Sequence, residues 1–300
     1  MNPSQNITAD ASSPLTTGFI GLGAMGELMA KNLAAGGLLT AVWNRTEEKA
    51  TRLATELGVN QALSPADLTD RVDVLLMCVS ADVDVLEIIQ RCQPALTPGK
   101  IVIDLSTVSR ETAQEAARLV RTTGADFLDA PVTGGMEGAR NATLAIMVGG
   151  NPDTLERVRP ILSRLGTRIV YMGETGMGQS TKAVNQIMCA GINEAVTEAL
   201  AFGAHLGLDM HKVIEVISGG AAGNWFLEKR GPTMTEGIFK PGFKLNLHHK
   251  DLKICQSMAR KSGHNLPLTD ITADHYQSLM SAGYGDEDIS ALFRLKRSAK

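Results

Sequence analysis

The chain is predicted to be an α/β protein, with an N-terminal doubly wound sheet, a long connecting helix and an all-α C-terminal part. Three observations predict this. Short apolar runs alternate with helical stretches through the first half, as strands and crossover helices do. A glycine turn, Gly21-x-Gly23-x-x-Gly26, joins the first run to the first helix. After Gly178 no strand pattern recurs, and residues 179–206 contain no proline.

The elements follow in order. Gly18-Phe19-Ile20 is a short strand that runs into the glycine turn, and a helix extends from Glu27 to Ala35. Strand, glycine turn and helix N-terminus together make a pyrophosphate site. Gly21 permits the tight turn, Gly23 lets backbone approach phosphate, and Gly26 lets helix and strand pack closely. Leu22, Ala24 and Met25 lie between them in the same site. The plain alternative is a glycine turn without a ligand, but the flanking strand and helix are the context a dinucleotide site requires. A second strand, Leu39–Trp43, ends at Asn44-Arg45-Thr46. An NAD site places an acid there, on the ribose 2′-hydroxyl. Here Arg45 stands instead, and a guanidinium suits a 2′-phosphate, so NADP(H) is favoured. Thr46 reads as the N-cap of the next helix, with Glu47 and Glu48 in its first turn.

Val72–Val79 is a nearly continuous apolar run suited to a strand buried on both faces. Val79 and Ser80, where it ends, are assigned to the cofactor site. Ile101–Leu105 is another strand, followed by Ser106-Thr107. Further strands are expected at 126–130, 144–148 and 168–172, with helices at 110–122 and 152–165. Residues 16–178 form the Rossmann domain on this reading, and 179–300 the connecting helix and helical domain. Helices are expected there at 179–206, 209–218, 225–229, 247–262 and 267–282.

Composition narrows the function. The 300 residues are 44% hydrophobic, enough for a sizeable core, and the formal charge of −3 offers no basic field for nucleic acid. Aromatic residues make up 4%, too few for a base-stacking platform. Cys78, Cys92, Cys189 and Cys255 lack pair spacing, which fits a reducing, cytoplasmic location better than a disulfide framework or a zinc site. No run approaches the length of a membrane span. Residues 1–15 read as a disordered tail and not as a signal peptide.

Three clusters beyond the cofactor turn carry possible chemistry. Asp129-Ala130-Pro131-Val132-Thr133-Gly134-Gly135 follows a strand and offers a hydroxyl and unhindered N–H groups, a nest for a carboxylate. The plain alternative is a β-to-α turn. Gly178-Gln179-Ser180-Thr181-Lys182-Ala183-Val184-Asn185-Gln186 opens the long helix, where Lys182, Asn185 and Gln186 share a face. A lysine there can stabilise a developing alkoxide and donate a proton, although most helical lysines are solvated charges. The third cluster is Phe239-Lys240-Pro241-Gly242-Phe243 with His248-His249-Lys250-Asp251. Adjacent helical residues diverge by about 100°, so no metal site is assigned to the two histidines.

Together these motifs, in this order, resemble the β-hydroxyacid dehydrogenase family, over nearly the whole chain from about Thr17 to Ala299. The family includes 3-hydroxyisobutyrate dehydrogenases, tartronate semialdehyde reductases and glyoxylate/succinic semialdehyde reductases. The resemblance implies that Lys182 is the general acid/base and that Thr133, Gly134 and Gly135 bind a substrate carboxylate. It implies that Asn185 and Gln186 position substrate. Ser106 and Thr107 would then lie near the nicotinamide ribose, and Lys250 would close the site with support from Asp251. Many members have Ser where this chain has Thr133, whose added methyl narrows the room for a bulky acid. Asn44-Arg45-Thr46 looks like the NADPH-using reductases, whereas 239–243 and 250–252 look like the tartronate and hydroxyisobutyrate branches, so the substrate stays open. The resemblance also implies a homodimer or homotetramer built through the helical domain. Two other functions are weighed: an imine reductase of the same architecture, and a non-catalytic NADP-binding scaffold. Both are expected to lack the lysine that this chain has at 182.

Overall fold

In the computed structural model, residues 15–298 are described. The expected tail falls outside them except for Leu15, which packs against the sheet's hydrophobic core. The chain alternates β1 (Thr17–Ile20), α1 (Ala24–Ala35), β2 (Leu39–Trp43), α2 (Glu47–Leu57), β3 (Asn60–Gln61), α3 (Pro65–Asp70), β4 (Val74–Met77), α4 (Asp82–Cys92), β5 (Ile101–Asp104), α5 (Arg110–Arg121) and β6 (Asp126–Asp129). It continues through β7 (Val132–Thr133), α6 (Gly135–Arg140), β8 (Leu144–Gly150), α7 (Pro152–Leu162) and β9 (Gly166–Gly173). The helical part comprises α8 (Met177–His205), α9 (Met210–Ser218), α10 (Trp225–Thr235), α11 (Leu245–Ser262), α12 (Pro267–Ser281) and α13 (Phe293–Ser298).

The sheet order is β3-β2-β1-β4-β5-β6-β8-β7, with β9 on β8. Strands β1 to β6 pair in parallel with their neighbours. The β4 run alternates between two cores. Val74 and Leu76 join one cluster, Leu75 and Met77 the other, and all four are buried. Period-two alternation puts them on opposite faces, which is why the run needed apolar residues at every position. The doubly wound sheet becomes mixed at its far edge, where β8 runs antiparallel to β6 and β7. Only residues 134–143 separate β7 from β8, too few for a parallel crossover.

Two local expectations change. Thr46 occupies the cap position of α2, but its side chain makes no cap bond. Helix α10 runs on through Pro232 to Thr235 instead of ending at Lys229. Phe226, Leu227, Gly231 and Met234 are buried along it, and a Cβ on Gly231 would lie 3.1 Å from Ile214 Cδ1. Burial of this face against α9 outweighs the hydrogen bond that proline removes. The helical core gathers Ala190, Val196 and Leu200 of α8 with Leu252, Tyr276 and Leu279.

Candidate active site

The glycine turn closes on its surroundings as a phosphate cradle must. A Cβ on Gly21, at φ +91°, would run into Cys78 O, and one on Gly26 would run into Gly21 O. Gly23, by contrast, faces open space, and no side chain caps α1. The start of α1 is therefore left without a side-chain cap and with open space at Gly23, and the residues present fit a dinucleotide pyrophosphate. Leu22 is buried, Ala24 is exposed and Met25 is half-buried. Asn44 holds the cradle to the end of β2: its Oδ1 accepts Leu22 N at 2.9 Å and its Nδ2 donates to Thr46 O. Arg45 projects with its side chain 77% exposed and pairs with Asp84 at 3.0 Å. Asp84 is a partner that the spacing around Arg45 did not reveal.

Along the same edge, Val79 N donates to Ser106 Oγ at 2.9 Å, while Ser80 is exposed. Ser106 is buried, and its N–H donates to Asp104 Oδ1 at 2.9 Å. Asp104 is fully buried with Oδ2 unpartnered, and burial pushes its carboxyl up to about 6. Gln179 of α8 grips this loop from above, donating to Ser106 O at 2.8 Å and accepting Val108 N at 3.2 Å. Lys250 of α11 donates to Thr107 O at 2.7 Å. These contacts join both helices to the loop that follows β5.

Lys182 is 7% exposed and donates to Val132 O at 2.8 Å. Burial pulls its ammonium below the usual lysine range, and the Asp251 charge opposes that pull. Asn185 is half-buried on the same face, and its amide donates to Gln186 Oε1. Gln186 is corrected in orientation: its side chain is 2% exposed and donates to Asp251 Oδ2 at 2.6 Å, toward α11. Asp251 Oδ1 lies 3.0 Å from Lys250 Nζ, an ion pair without hydrogen-bond alignment. His248 is fully buried between Tyr276 Oη at 3.0 Å and Gln186 O at 3.2 Å, and burial pushes its imidazole down to about 4. It is a neutral core histidine. Among the described residues no three His, Cys, Asp or Glu side chains gather as metal ligands.

Thr133 is half-buried beside the backbone that Lys182 touches, and it pairs with Ala145 of β8. Gly134 has φ +129° and Gly135 φ +61°, conformations that favour glycine at both positions. Across from them runs the 240–243 loop, with Gly242 O 3.9 Å from where a Cβ on Gly135 would stand. Asp288, itself 1% exposed, holds that loop by accepting Gly242 N at 2.8 Å and Phe243 N at 3.1 Å. Thr133–Gly135, Lys182, Asn185 and Lys250 thus converge where the sheet's carboxyl edge meets α8 and α11, while Arg45 lies at the cradle end. Sequence reasoning missed Asp104 and Gln179. The first is a lone acid closing the apolar run 101–103, and the second lies inside a motif already singled out.

The comparisons agree over the whole described chain. Residues 16–173 match the NAD binding domain of 6-phosphogluconate dehydrogenase, and residues 176–296 match the NAD-binding family of NADP-dependent 3-hydroxyisobutyrate dehydrogenase. The 2-hydroxy-3-oxopropionate reductase of Escherichia coli is 37% identical over 92% of this chain and 94% of its own. The structure of Mycobacterium tuberculosis 3-hydroxyisobutyrate dehydrogenase with L-serine superposes with TM-score 0.87 at 32% identity, covering 95% of this chain and all of that one. A structure of Psf3 in complex with NADP+ and 2-OPP superposes with TM-score 0.85 at 26% identity over 93% and 99%. With its parallel-sheet nucleotide domain, its helical C-terminal part and these relatives along its full length, the chain belongs to the NAD(P)-dependent β-hydroxyacid dehydrogenase family.

Proposed function

We propose that the protein is an NADP(H)-dependent oxidoreductase interconverting a small 3-hydroxy acid and its semialdehyde, with Lys182 as general acid/base. One observation carries this reading: a lysine 7% exposed donates to Val132 O, the carbonyl next to the Thr133–Gly135 turn. The nicotinamide, when bound, supplies or accepts the hydride. In reduction, the Lys182 ammonium exchanges Val132 O for the substrate's carbonyl oxygen and gives it a proton as negative charge develops there. In oxidation the neutral amine takes that proton back. Burial pulls the ammonium down, which makes the neutral amine needed for oxidation easier to reach. Thr133 and the N–H groups of Gly134 and Gly135 hold the substrate carboxylate, and Asn185 orients the carbonyl. Gln186 acts through Asp251, whose charge favours the ammonium form of Lys182 against the pull of burial. Lys250 closes the site over the nicotinamide ribose beside Ser106 and Thr107.

NADP(H) is favoured over NAD(H) by Arg45, an exposed guanidinium at the end of β2 where no acid stands. Psf3, a structural relative, was solved with NADP+. The four cysteines are free thiols, in keeping with a reducing cytoplasm. No helix among the described residues is long and apolar enough to cross a membrane. Val184, Met188 and Phe202 of α8, with Leu206 just past its end, stand 57–63% exposed at helical spacing. This apolar stripe supports association of two or four copies through the helical part, and a solution mass equal to one chain would rule it out.

Lys182→Ala is the direct test. A positioned general acid contributes roughly 10²–10⁴-fold, so kcat should fall by that order while NADPH still binds. Near-normal turnover on the best substrate of a hydroxy-acid and semialdehyde panel would overturn the role.

A further inference from the structure

We propose that Asp129 is the positioning residue for Lys182, latching the first turn of α8 to the strand end that leads into the substrate turn. The inference rests on the acid/base reading of Lys182 and deepens it. Asp129 closes β6 and is fully buried. Its Oδ1 accepts Gly176 N at 2.7 Å and its Oδ2 accepts Gln179 N at 2.9 Å. Both donors belong to the start of α8, where N–H groups have no intrahelical partner. Three residues beyond Asp129, Val132 O accepts Lys182 Nζ. The stretch 129–132 therefore grips α8 twice, by its backbone and by its lysine, and residue 133 begins the substrate turn.

The space around this carboxylate is built for it. A Cβ on Gly149 would lie 2.5 Å from Asp129 Oδ1, and one on Gly178 would lie 2.7 Å from Asp129 Oδ2. Neither glycine has positive φ, so crowding, and not backbone freedom, excludes a side chain there: by the carboxylate and Glu174 O at Gly149, and by the carboxylate and Met147 O at Gly178. Gly149 is the cross-strand partner of Asp129 on β8, and Gly178 sits on α8 itself. A one-residue error in where α8 begins would rotate Lys182 by about 100° away from Val132, which is what the two-point grip prevents. Without the latch the lysine keeps its chemistry but loses its address.

The charged groups around the latch are Asp104, its register partner on β5, Asp82 beyond Asp104, and Lys182 on α8. Burial pushes the Asp129 carboxyl up to about 6 against the pull of its N–H donors. Protonation of Asp129 weakens acceptance from Gly176 and Gln179, so reduction should lose rate on the acid side. In this direction Lys182 serves as the acid, so its own titration removes rate on the alkaline side and not on the acid side.

The test is Asp129→Asn, which keeps the shape but turns an amide NH2 toward one of the two N–H donors. In the reductive direction at pH 7, kcat should fall tenfold or more while NADPH Kd stays within twofold. The wild-type acid limb near pH 6 should vanish from kcat in the variant. Wild-type kcat that stays flat from pH 7 to 5 would overturn the proposal even if the variant fails to fold. So would an acid limb that persists in Asp129→Asn, which would belong to Asp104, or a matching loss of NADPH affinity, which would assign the residue to the nucleotide site. The two readings fail separately: near-normal Lys182→Ala sinks the acid/base role, whereas crippled Lys182→Ala beside ordinary Asp129→Asn sinks the latch alone.

Discussion

At the β2 end of the sheet, Arg45 stands with its side chain 77% exposed and pairs with Asp84, whereas at the β5–β6 end Asp104, Asp129 and Lys182 lie under α8 at 7% exposure or less. Both ends carry charge on the carboxyl edge of one sheet, yet solvent treats them differently. Water screens Arg45, so its worth is in selective contact with a ligand phosphate. Water is excluded from the other end, so each charge there must be hydrogen-bonded or move its pKa. Lys182, Asp104 and Asp129 all move theirs. On the proposed function, the cradle end serves binding and the covered end serves proton transfer.

The larger effect should come from the covered end. Asp104 has one oxygen without a partner, and its carboxyl is pushed from 3.8 to about 6. A carboxyl raised on folding contributes stability that is full below about pH 4 and is lost as pH rises through about 6. Asp104→Asn should therefore outlast the wild type in denaturant at pH 8, by up to about 3 kcal/mol, with the gap closing by pH 4. Midpoints that differ equally at both pH values would mean that Asp104 is not carrying a buried charge, and the contrast between the two ends would weaken.

The smaller effect belongs to the open end. Arg45→Asp should lower the NADPH-to-NADH preference about tenfold, the low side of a charge-assisted phosphate contact because the site is exposed. With Asp84 close by, the variant would present two acids to a 2′-phosphate. Selectivity and the salt dependence of NADPH binding should fall together. An unchanged ratio would remove Arg45 from the cofactor site and leave the cradle as the shared feature of both nucleotides.

Legibility in the sequence followed the same divide. The runs at 18–20, 72–79 and 101–105 named their strands because residues buried on both faces must be apolar at successive positions. The glycine turn was readable because its requirements are steric and local: Gly21 and Gly26 have no room for a Cβ. Arg45 was readable because it is two residues past a clear strand and depends on no other element. Gln186 was expected to position substrate, and its bond to Asp251 was not readable because it spans 65 residues. The reversal of β8 and the passage of α10 through Pro232 were hidden too, because pairing direction and burial against α9 are properties of the assembled chain.

The sequence by itself determined the sheet-then-helix architecture, the nucleotide cradle and the candidate lysine, because hydrophobic period, glycine sterics and motif order are written over a few residues each. Only the tertiary structure decided that Lys182 is buried against Val132, that Gln179 and Lys250 clasp the loop after β5, and that Asp129 grips the start of α8. Those facts rest on backbone donors and acceptors, which every residue carries alike. Nothing in a residue's identity says which carbonyl or N–H will come within its reach, and desolvation, which pulls the Lys182 ammonium down, exists only once the helices have closed over the sheet.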